Sequence, residues 1–159
     1  MNSCVYSGSF DPITKGHLDI IKRANEIFPK VYVAVLNNMQ KRYMFDMDMR
    51  IRMVEKTVAA LPGVEVVSSD GLLVDLLEKL GTKVIVRGLR TGADLELEQQ
   101  LAVVNNQLLS GVETVVLLSR PQTQYVNSSI VRELITYHAD ITQYVPEEIL
   151  HMLNGGEGV

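Results

Sequence analysis

The sequence predicts an α/β fold built on an open, five-stranded parallel sheet. Short apolar runs alternate along the chain with longer stretches in which apolar residues recur at helical spacing. One run, residues 31–36, is continuously apolar and rich in β-branched residues, the pattern of a strand covered on both faces. The length of 159 residues suits a single domain with one core. We therefore expect one domain, residues 1–159, with helices on both faces of the sheet.

The first strand and the first helix flank a turn of unusual composition. The strand occupies residues 4–6, and the helix spans about residues 16–28 and ends near Pro29. Its predicted stripe contains His17, Ile20, Ile21, Ala24, Ile27 and Phe28. The second strand, residues 31–36, follows a right-handed crossover, which predicts a parallel pair.

The middle of the chain continues the alternation. Residues 37–45 indicate a polar and then Met-rich loop, and Asp46 or Asp48 can cap the next helix. That helix has a predicted buried stripe of Met47, Ile51, Val54, Val58 and Leu61. A Pro-Gly break precedes the third strand, residues 64–67. The short helix that follows has a stripe of Leu72, Leu73, Leu76, Leu77 and Leu80, and it ends at Gly81.

The last third supplies two more strands, residues 83–86 and 114–118. Between them, a helix over residues 94–109 has a stripe predicted to face inward, formed by Leu97, Leu101, Val104 and Leu108. Periodicity leaves open whether such Leu-rich helices cover the sheet or a neighbouring subunit. Next come a helix opened by Asn127-Ser128-Ser129, with Ile130, Val131 and Leu134 on it, and a last helix with Pro146 as its first residue. We expect residues 154–159 to be a frayed, Gly-rich tail.

Composition and charge exclude several classes of protein. A net charge of −4 argues against a general nucleic-acid binder, and no apolar run is long enough to span a bilayer. The first residues lack the basic and apolar regions of a signal peptide, so we expect a cytoplasmic protein. The single cysteine excludes an internal disulfide and disfavours a cysteine-based metal site.

The turn after the first strand has the composition of a phosphate site. Its sequence is Ser7-Gly8-Ser9-Phe10-Asp11-Pro12, followed by Thr14-Lys15-Gly16-His17. Gly16 lets a ligand approach the backbone where a helix begins, and a helix N-terminus attracts phosphate. Ser9, Thr14, Lys15 and His17 would add donors. The turn matches neither the P-loop nor the dinucleotide-binding pattern, and taken alone it could be an ordinary capped turn.

Other candidate residues lie just after the carboxyl ends of later strands. In a Rossmann-like open sheet, ligands bind outside the carboxyl ends of the strands, where strand order reverses. Arg87 and Arg90 follow the fourth strand, and their planar groups suit phosphate, although they could instead pair with Asp94, Glu96 and Glu98. Asn127-Ser128-Ser129 is in isolation a helix cap, but at this edge its hydroxyl and amide groups could also hold triphosphate oxygens.

Five motifs in order make the family recognisable. They are S-G-S-F-D-P-I-T-K-G-H, the Lys41 loop ahead of Met44-Phe45, R-G-L-R, the acidic helix at 94–98 and N-S-S-x-x-R-E. Together they resemble bacterial phosphopantetheine adenylyltransferase, a member of the nucleotidyltransferase superfamily with the T/H-x-G-H motif. The resemblance implies adenylyl transfer from ATP, with Mg²⁺, to 4′-phosphopantetheine, forming dephospho-coenzyme A and pyrophosphate. It also implies a homohexamer of two trimers and inhibition by coenzyme A.

The resemblance assigns roles residue by residue. It implies catalytic roles for His17, Lys41 and Arg90. It implies contacts to ATP from Ser9, Phe10, His17, Gly88, Leu89, Arg90, Glu98, Thr123, Gln124, Tyr125, Val126, Asn127, Ser128 and Ser129. It implies contacts to the acceptor from Ser9, Lys41, Leu72, Leu73, Arg87, Leu101 and Asn105. Three positions depart from the family: Ser9 replaces Thr, Asn127 replaces the first serine of a triplet, and Thr123 is aromatic in some relatives.

The implied chemistry is an in-line attack of the acceptor phosphate on the α-phosphorus of ATP, without a covalent enzyme intermediate. A dianionic acceptor needs neither a protein nucleophile nor a general base, so catalysis would rest on positioning and charge stabilisation. Two alternatives stay open. One is another nucleotidyltransferase of the same fold, such as a nicotinate-mononucleotide adenylyltransferase or a cytidylyltransferase. The other is a nucleotide-sensing module without catalysis.

Overall fold

The first strand lies at the centre of the sheet, because later strands are added first on one side of it and then on the other. In a computed structural model that describes residues 2–153, all five strands are parallel and follow the order β3-β2-β1-β4-β5. The strands are β1 Ser3–Gly8, β2 Lys30–Leu36, β3 Val64–Ser69, β4 Val84–Leu89 and β5 Glu113–Leu118. The predicted single-domain, Rossmann-like α/β fold is confirmed, and the switch in strand order falls between β1 and β4.

Helices connect successive strands and cover both faces of the sheet. They are α1 Lys15–Ile27, α2 Met47–Val58, α3 Leu73–Leu80, α4 Gly92–Leu108 and α5 Ser128–Thr136; a 3₁₀ turn, Glu147–Ile149, leads into α6 Leu150–Leu153. The larger core layer packs α1, α2 and the C-terminal segments against one face, and the smaller layer packs α3 against the other. No helix within residues 2–153 combines the length and apolar character needed to cross a membrane.

Capping residues fix where the site-forming helices begin. Thr14 caps α1, Asp46 caps α2 and Asn127 caps α5, each by accepting a hydrogen bond from a backbone N–H of the first turn. Gly81 ends α3 in the left-handed conformation that glycine adopts most easily. The starts of α1 and α5 are thereby held beside the carboxyl end of β1, where a site was expected.

Strand β4 is longer than predicted. The expected strand ended at residue 86, but Arg87, Gly88 and Leu89 continue it and pair in register with Val116, Leu117 and Leu118 of β5. Arginine and glycine are uncommon in strand interiors, so local composition indicated a loop. The longer strand places Arg87 on the sheet itself, where it pairs with Val116 of β5.

The inward stripe predicted for α4 is wrong. Leu97, Leu101, Val104 and Leu108 are all exposed, and only Glu98 of this helix is buried. The least exposed positions of α4 are instead Asp94, Glu98, Ala102 and Asn105, so a mostly polar stripe faces the rest of the chain while the apolar side faces outward. Val116 and Leu118 of β5 are also exposed apolar side chains.

Smaller corrections concern single positions. Ile27 and Leu72 were placed on apolar helix stripes but are exposed, since Ile27 is the last residue of α1 and Leu72 precedes the first residue of α3. Ile130 lies on α5 as expected and is exposed. Pro146 precedes the C-terminal turn instead of being its first helical residue, and that turn is 3₁₀ before it becomes α-helical. The predicted frayed tail, residues 154–159, lies outside the described residues.

Candidate active site

Two adjoining clefts open at the carboxyl edge of the sheet. The larger, about 660 Å³, lies where β1 and β4 diverge and is walled by the first turn, α1, α4 and the start of α5. The smaller, about 480 Å³, lies over the ends of β1 and β2 and extends to Leu72 at the start of α3. Both clefts are lined by Ser9, Lys41 and Arg87, which therefore mark the junction between them. A two-part ligand, or two ligands that react, could meet at this junction.

His17 is held by a reciprocal hydrogen-bond pair with Thr14. The backbone N–H of Thr14 donates to Nδ1 of His17 at 3.0 Å, and the backbone N–H of His17 donates to the Thr14 hydroxyl at 3.3 Å. Because Nδ1 accepts a hydrogen bond from a backbone donor, the ring proton of the neutral imidazole resides on Nε2. The residue that lines the larger cleft is thus an N–H donor of fixed orientation.

The environment of His17 keeps its imidazole neutral. Burial, together with the nearby guanidinium groups of Arg90 and Arg87, lowers the pKa of His17 to about 4. The geometry agrees, since protonation at Nδ1 would turn a second N–H toward the Thr14 N–H. At neutral pH His17 can therefore donate a hydrogen bond to an anion but cannot act as a cationic general acid.

Aromatic rings back the imidazole. The Phe10 ring is 1% exposed and meets His17 edge-on, with ring centroids 5.1 Å apart. Tyr6 packs edge-on against Phe10 at 5.7 Å, and burial raises the pKa of Tyr6, so its hydroxyl stays protonated. The positive backbone φ of Phe10, 50°, turns its side chain inward. Phe10 thus positions His17 with its ring.

Arg87 is oriented by Glu98 and by the backbone of β1. Its Nε donates to Glu98 Oε1 at 2.9 Å, its Nη2 lies 2.7 Å from the same oxygen, and its Nη1 donates to the Ser7 carbonyl at 2.9 Å. The carboxylate of Glu98 is nearly buried, so the pair is shielded from solvent. Glu98, assigned by the resemblance to ATP, therefore contacts Arg87 in the structure and fixes its fork at the junction of the clefts.

Arg90 stands at the outer rim of the larger cleft. Its Nε lies 3.7 Å from Asp94, whose carboxylate also accepts from the backbone N–H of Arg90 at 2.9 Å. The amide of Gln124 donates to the Arg90 carbonyl at 3.2 Å, which ties the loop before α5 to the end of β4. Because this ion pair is largely solvated, the Arg90 side chain can exchange Asp94 for an anionic ligand at little cost.

The start of α5 presents backbone donors to the same cleft. Asn127 caps the N–H of Ile130, so the N–H groups of Ser128 and Ser129 are left without partners inside the helix. The Ser128 hydroxyl donates to the Pro12 carbonyl at 2.8 Å, and this bond ties α5 to the first turn. The hydroxyl of Ser129 accepts from Arg132 at 3.1 Å, and its own proton stays free to donate.

Sequence reasoning missed the functional positions of Asp11 and Arg132. The buried carboxylate of Asp11 accepts from the backbone N–H groups of Met44 and Phe45, both at 2.9 Å, which anchors the loop that carries Lys41. Arg132 donates to the Asp11 carbonyl at 2.8 Å. Both residues lie inside the quoted motifs, so their motif positions were the available signal. Their contacts with segments distant in sequence could not be predicted from the spacing of residues in the motifs.

The predicted site residues separate into two groups. The cleft walls bring together Ser9, Phe10, His17, Lys41, Leu72, Arg87, Gly88, Arg90, Glu98, Thr123, Val126, Asn127, Ser128 and Ser129. Outside these walls lie Leu73, Leu89, Leu101, Asn105, Gln124 and Tyr125. Lys15 also points elsewhere, since its Nζ donates to the Thr142 carbonyl at 2.9 Å. The roles of both groups stay predictions.

Comparisons with known proteins agree with this geometry. A family model described as cytidylyltransferase-like matches residues 5–134. A phosphopantetheine adenylyltransferase of Clostridium perfringens is 46% identical over 94% of this chain and 91% of its own length. The phosphopantetheine adenylyltransferase of Actinobacillus succinogenes is 44% identical over 97% of this chain and 96% of its own length.

A solved structure supports the fold alone. A protein of Vibrio parahaemolyticus, provisionally named a nicotinate-nucleotide adenylyltransferase, superposes with a TM-score of 0.68. The alignment covers 96% of this chain and 99% of that chain at 18% sequence identity. At this identity the likeness concerns the arrangement of strands and helices.

Proposed function

Since the chain belongs to the phosphopantetheine adenylyltransferases, within the cytidylyltransferase-like family, we propose that it transfers the adenylyl group of ATP to 4′-phosphopantetheine. The products are dephospho-coenzyme A and pyrophosphate, in a step of coenzyme A biosynthesis. The observation that carries the proposal is the junction of two clefts at Lys41 and Arg87, with the neutral His17 donor lining the larger cleft beside it.

The two clefts suit the two substrates. ATP would occupy the larger cleft, with its phosphates between Arg90 and the free N–H groups at the start of α5. The phosphate of the acceptor would bind between Lys41 and Arg87 at the junction. Its pantetheine arm would follow the smaller cleft toward Leu72. This arrangement brings the acceptor phosphate to the α-phosphate of ATP.

The reaction requires one bond to form and one to break at phosphorus. An oxygen of the acceptor phosphate attacks the α-phosphorus, and the bond from that phosphorus to the α,β-bridging oxygen breaks, with its electron pair leaving on pyrophosphate. The acceptor oxygen is already ionised, so no proton has to be removed. His17 would donate its Nε2 proton in a hydrogen bond to a non-bridging α-phosphate oxygen, where negative charge is held during transfer.

We expect ATP to bind as its Mg²⁺ complex. Within residues 2–153, no three His, Cys, Asp or Glu side chains are grouped so that they could hold a metal ion. The cleft offers N–H, hydroxyl and guanidinium donors, which suit phosphate oxygens, so the triphosphate would supply the ligands of the metal. When bound, Mg²⁺ would neutralise part of the triphosphate charge.

Assembly and regulation extend the proposal. We propose a homohexamer formed by two trimers, which is supported by the exposed apolar side of α4, because such a surface is usually covered in a stable protein. Coenzyme A contains the skeleton of the product and would inhibit by occupying both clefts. A cytoplasmic location, where ATP is available, and the lack of nucleic-acid and membrane partners stay expectations.

Substrate choice tests the proposed function. Pyrophosphate release from ATP and Mg²⁺ would be measured with 4′-phosphopantetheine and, separately, with nicotinate mononucleotide as the acceptor. We expect release with phosphopantetheine only, since the smaller cleft, which extends from Lys41 and Arg87 toward Leu72, suits an extended pantetheine arm. Release only with nicotinate mononucleotide would assign the chain a different acceptor. No release with either, together with ATP binding, would favour a nucleotide-sensing module.

A further inference from the structure

Arg50 is a charged side chain in the protein interior. It lies in the first turn of α2, is 1% exposed and is the largest fully buried side chain. No carboxylate within residues 2–153 forms an ion pair with it. Burial of a guanidinium group is unfavourable unless its donors are satisfied, and an apolar side chain of similar volume often gives a more stable core. Packing alone therefore does not explain why a charged side chain occupies this buried position.

The guanidinium group connects three segments through neutral oxygens. It donates to the Ser9 carbonyl at 2.8 Å, to the Leu36 carbonyl at 3.1 Å and to Asn37 Oδ1 at 3.0 Å. Its Nε donates to the Phe45 carbonyl at 3.2 Å. The acceptors belong to the first turn, to the end of β2 and to both ends of the loop at 37–45. The planar guanidinium group of Arg50 thus fixes the distance between the first turn and that loop.

The loop at 37–45 contains Lys41 and rests on the same group. The ring of Tyr43 stacks on the Arg50 guanidinium, with its centroid 3.9 Å from Cζ. The Tyr43 hydroxyl accepts a hydrogen bond from the backbone N–H of Asn38 at 2.6 Å, which closes the loop on itself. Lys41 is exposed at the tip of the loop, and its place at the junction depends on how the loop ends are held.

We propose that Arg50 is a positioning residue for the acceptor-phosphate site. By holding the Ser9 carbonyl and both ends of the loop, it sets Lys41 opposite Arg87 at the junction of the clefts. Its charge lies behind the wall that Ser9 forms and favours an anion in front of that wall. This inference rests on the proposed function for the identity of the acceptor, and on the structure alone for the position of the loop.

Lysine cannot reproduce this arrangement. An ammonium group presents its donors from a single point, whereas the contacts of Arg50 require a planar fork and a face for Tyr43. Arg50→Lys therefore keeps the charge and removes the geometry, while Arg50→Met removes both. Arg52, exposed on the same helix, provides the matched control Arg52→Lys.

Kinetics with both substrates form the first arm of the test. We expect Arg50→Lys to raise the KM for 4′-phosphopantetheine by about tenfold, the effect of losing a hydrogen bond to a charged group, and to leave the KM for ATP within about twofold. Arg50→Met should raise the acceptor KM at least as much, and Arg52→Lys should match the wild type. Parallel increases in both KM values, or no change in either, would overturn the proposal.

Limited trypsin digestion provides the second arm, which needs no substrate. Lys41 and Arg42 are exposed cleavage sites in the loop, and Lys79 is an exposed site on α3. Arg50→Lys should accelerate cleavage after Lys41 and Arg42 relative to Lys79. Equal acceleration at all three sites would mean general destabilisation and would contradict a positioning role. If the wild type released no pyrophosphate, the proposed function would be wrong. The digestion would still show whether Arg50 holds the loop at 37–45 in place.

A second variant guards against loss of folding. Tyr43→Leu removes the stacked ring but leaves α2 and its buried guanidinium in place. It should show the same selective increase in acceptor KM and the same local acceleration of cleavage, to a smaller extent. A Tyr43→Leu protein with wild-type acceptor KM and wild-type cleavage at Lys41 would contradict the proposal even if both Arg50 variants fail to fold.

Discussion

The Nδ1 atom of His17 accepts the backbone N–H of Thr14 at 3.0 Å, and this single contact decides which nitrogen faces the cleft. We predict that His17 is the Nε2–H tautomer and stays neutral well below pH 6. Nitrogen chemical shifts from ¹⁵N-labelled imidazole would show it, with the signal assigned by its loss in His17→Ala. An Nδ1–H tautomer, or an imidazolium at pH 6, would contradict the geometry.

The lowered pKa of His17 should also make stability depend on pH. Between the ordinary value of 6.5 and about 4, the unfolded chain binds a proton at this site that the folded chain does not. Stability should therefore fall as the pH falls through this window, by up to about 3 kcal/mol. Urea unfolding at several pH values would measure it, and the difference between wild type and His17→Ala isolates the site. Identical pH slopes for both would refute the assignment.

Removal of the His17 donor should slow turnover. We expect His17→Ala to lower kcat by ~10²–10³, roughly 3–4 kcal/mol, the usual effect of losing one donor to a charged transition state. Steady-state pyrophosphate release would measure it. His151→Ala, an exposed position on α6, should retain wild-type kcat. A loss below about tenfold in His17→Ala would remove this residue from the catalytic role.

Glu98 should act on the acceptor through Arg87. Glu98→Gln keeps the shape but removes the charge that Arg87 Nε and Nη2 share, so we expect a raised KM for phosphopantetheine. Arg87→Ala and Lys41→Ala should raise the same constant. An effect of Glu98→Gln on the KM for ATP alone would instead support the direct ATP contact that the resemblance implies.

Gly88 should not tolerate a side chain. A Cβ at this position would lie 2.9 Å from Cγ1 of Ile20, on the helix that carries His17. We expect Gly88→Ala to destabilise the fold by about 1–3 kcal/mol through overpacking. Gly92→Ala is the control, since a Cβ there meets nothing within 4 Å at the start of α4. Thermal unfolding of both variants would measure the contrast, and equal melting temperatures would contradict it.

Sequence patterns predicted the sheet because its strands and the helix starts beside it depend on local composition. The apolar run of β2 and the reciprocal cap of α1 are encoded within a few neighbouring residues. Contacts between distant segments were not predictable in this way. The Lys15 ammonium donates to the carbonyl of Thr142, 127 residues later.

Helical periodicity also has a physical limit. It identifies the apolar side of α4 but not what covers that side, so its leucines were placed inward although they are exposed. It likewise places a charged residue on the solvent face, and Arg50 is buried for reasons that only its distant acceptors reveal. Periodicity fails at both places because the partner of the side chain lies elsewhere in the chain or outside it.

The shared wall of the two clefts has a consequence for the order of events in a catalytic cycle. Ser9, Lys41 and Arg87 line both clefts. A molecule long enough to enter both clefts would contact these residues and both walls at the same time. It would therefore bind more tightly than a ligand of one cleft, because its second part is already held near its site. Under the proposed function the joined product is such a molecule, whereas pyrophosphate would fit in one cleft only. Pyrophosphate would therefore depart first, and the joined product would compete with either substrate. The same wall makes bisubstrate compounds the natural design for a tight inhibitor.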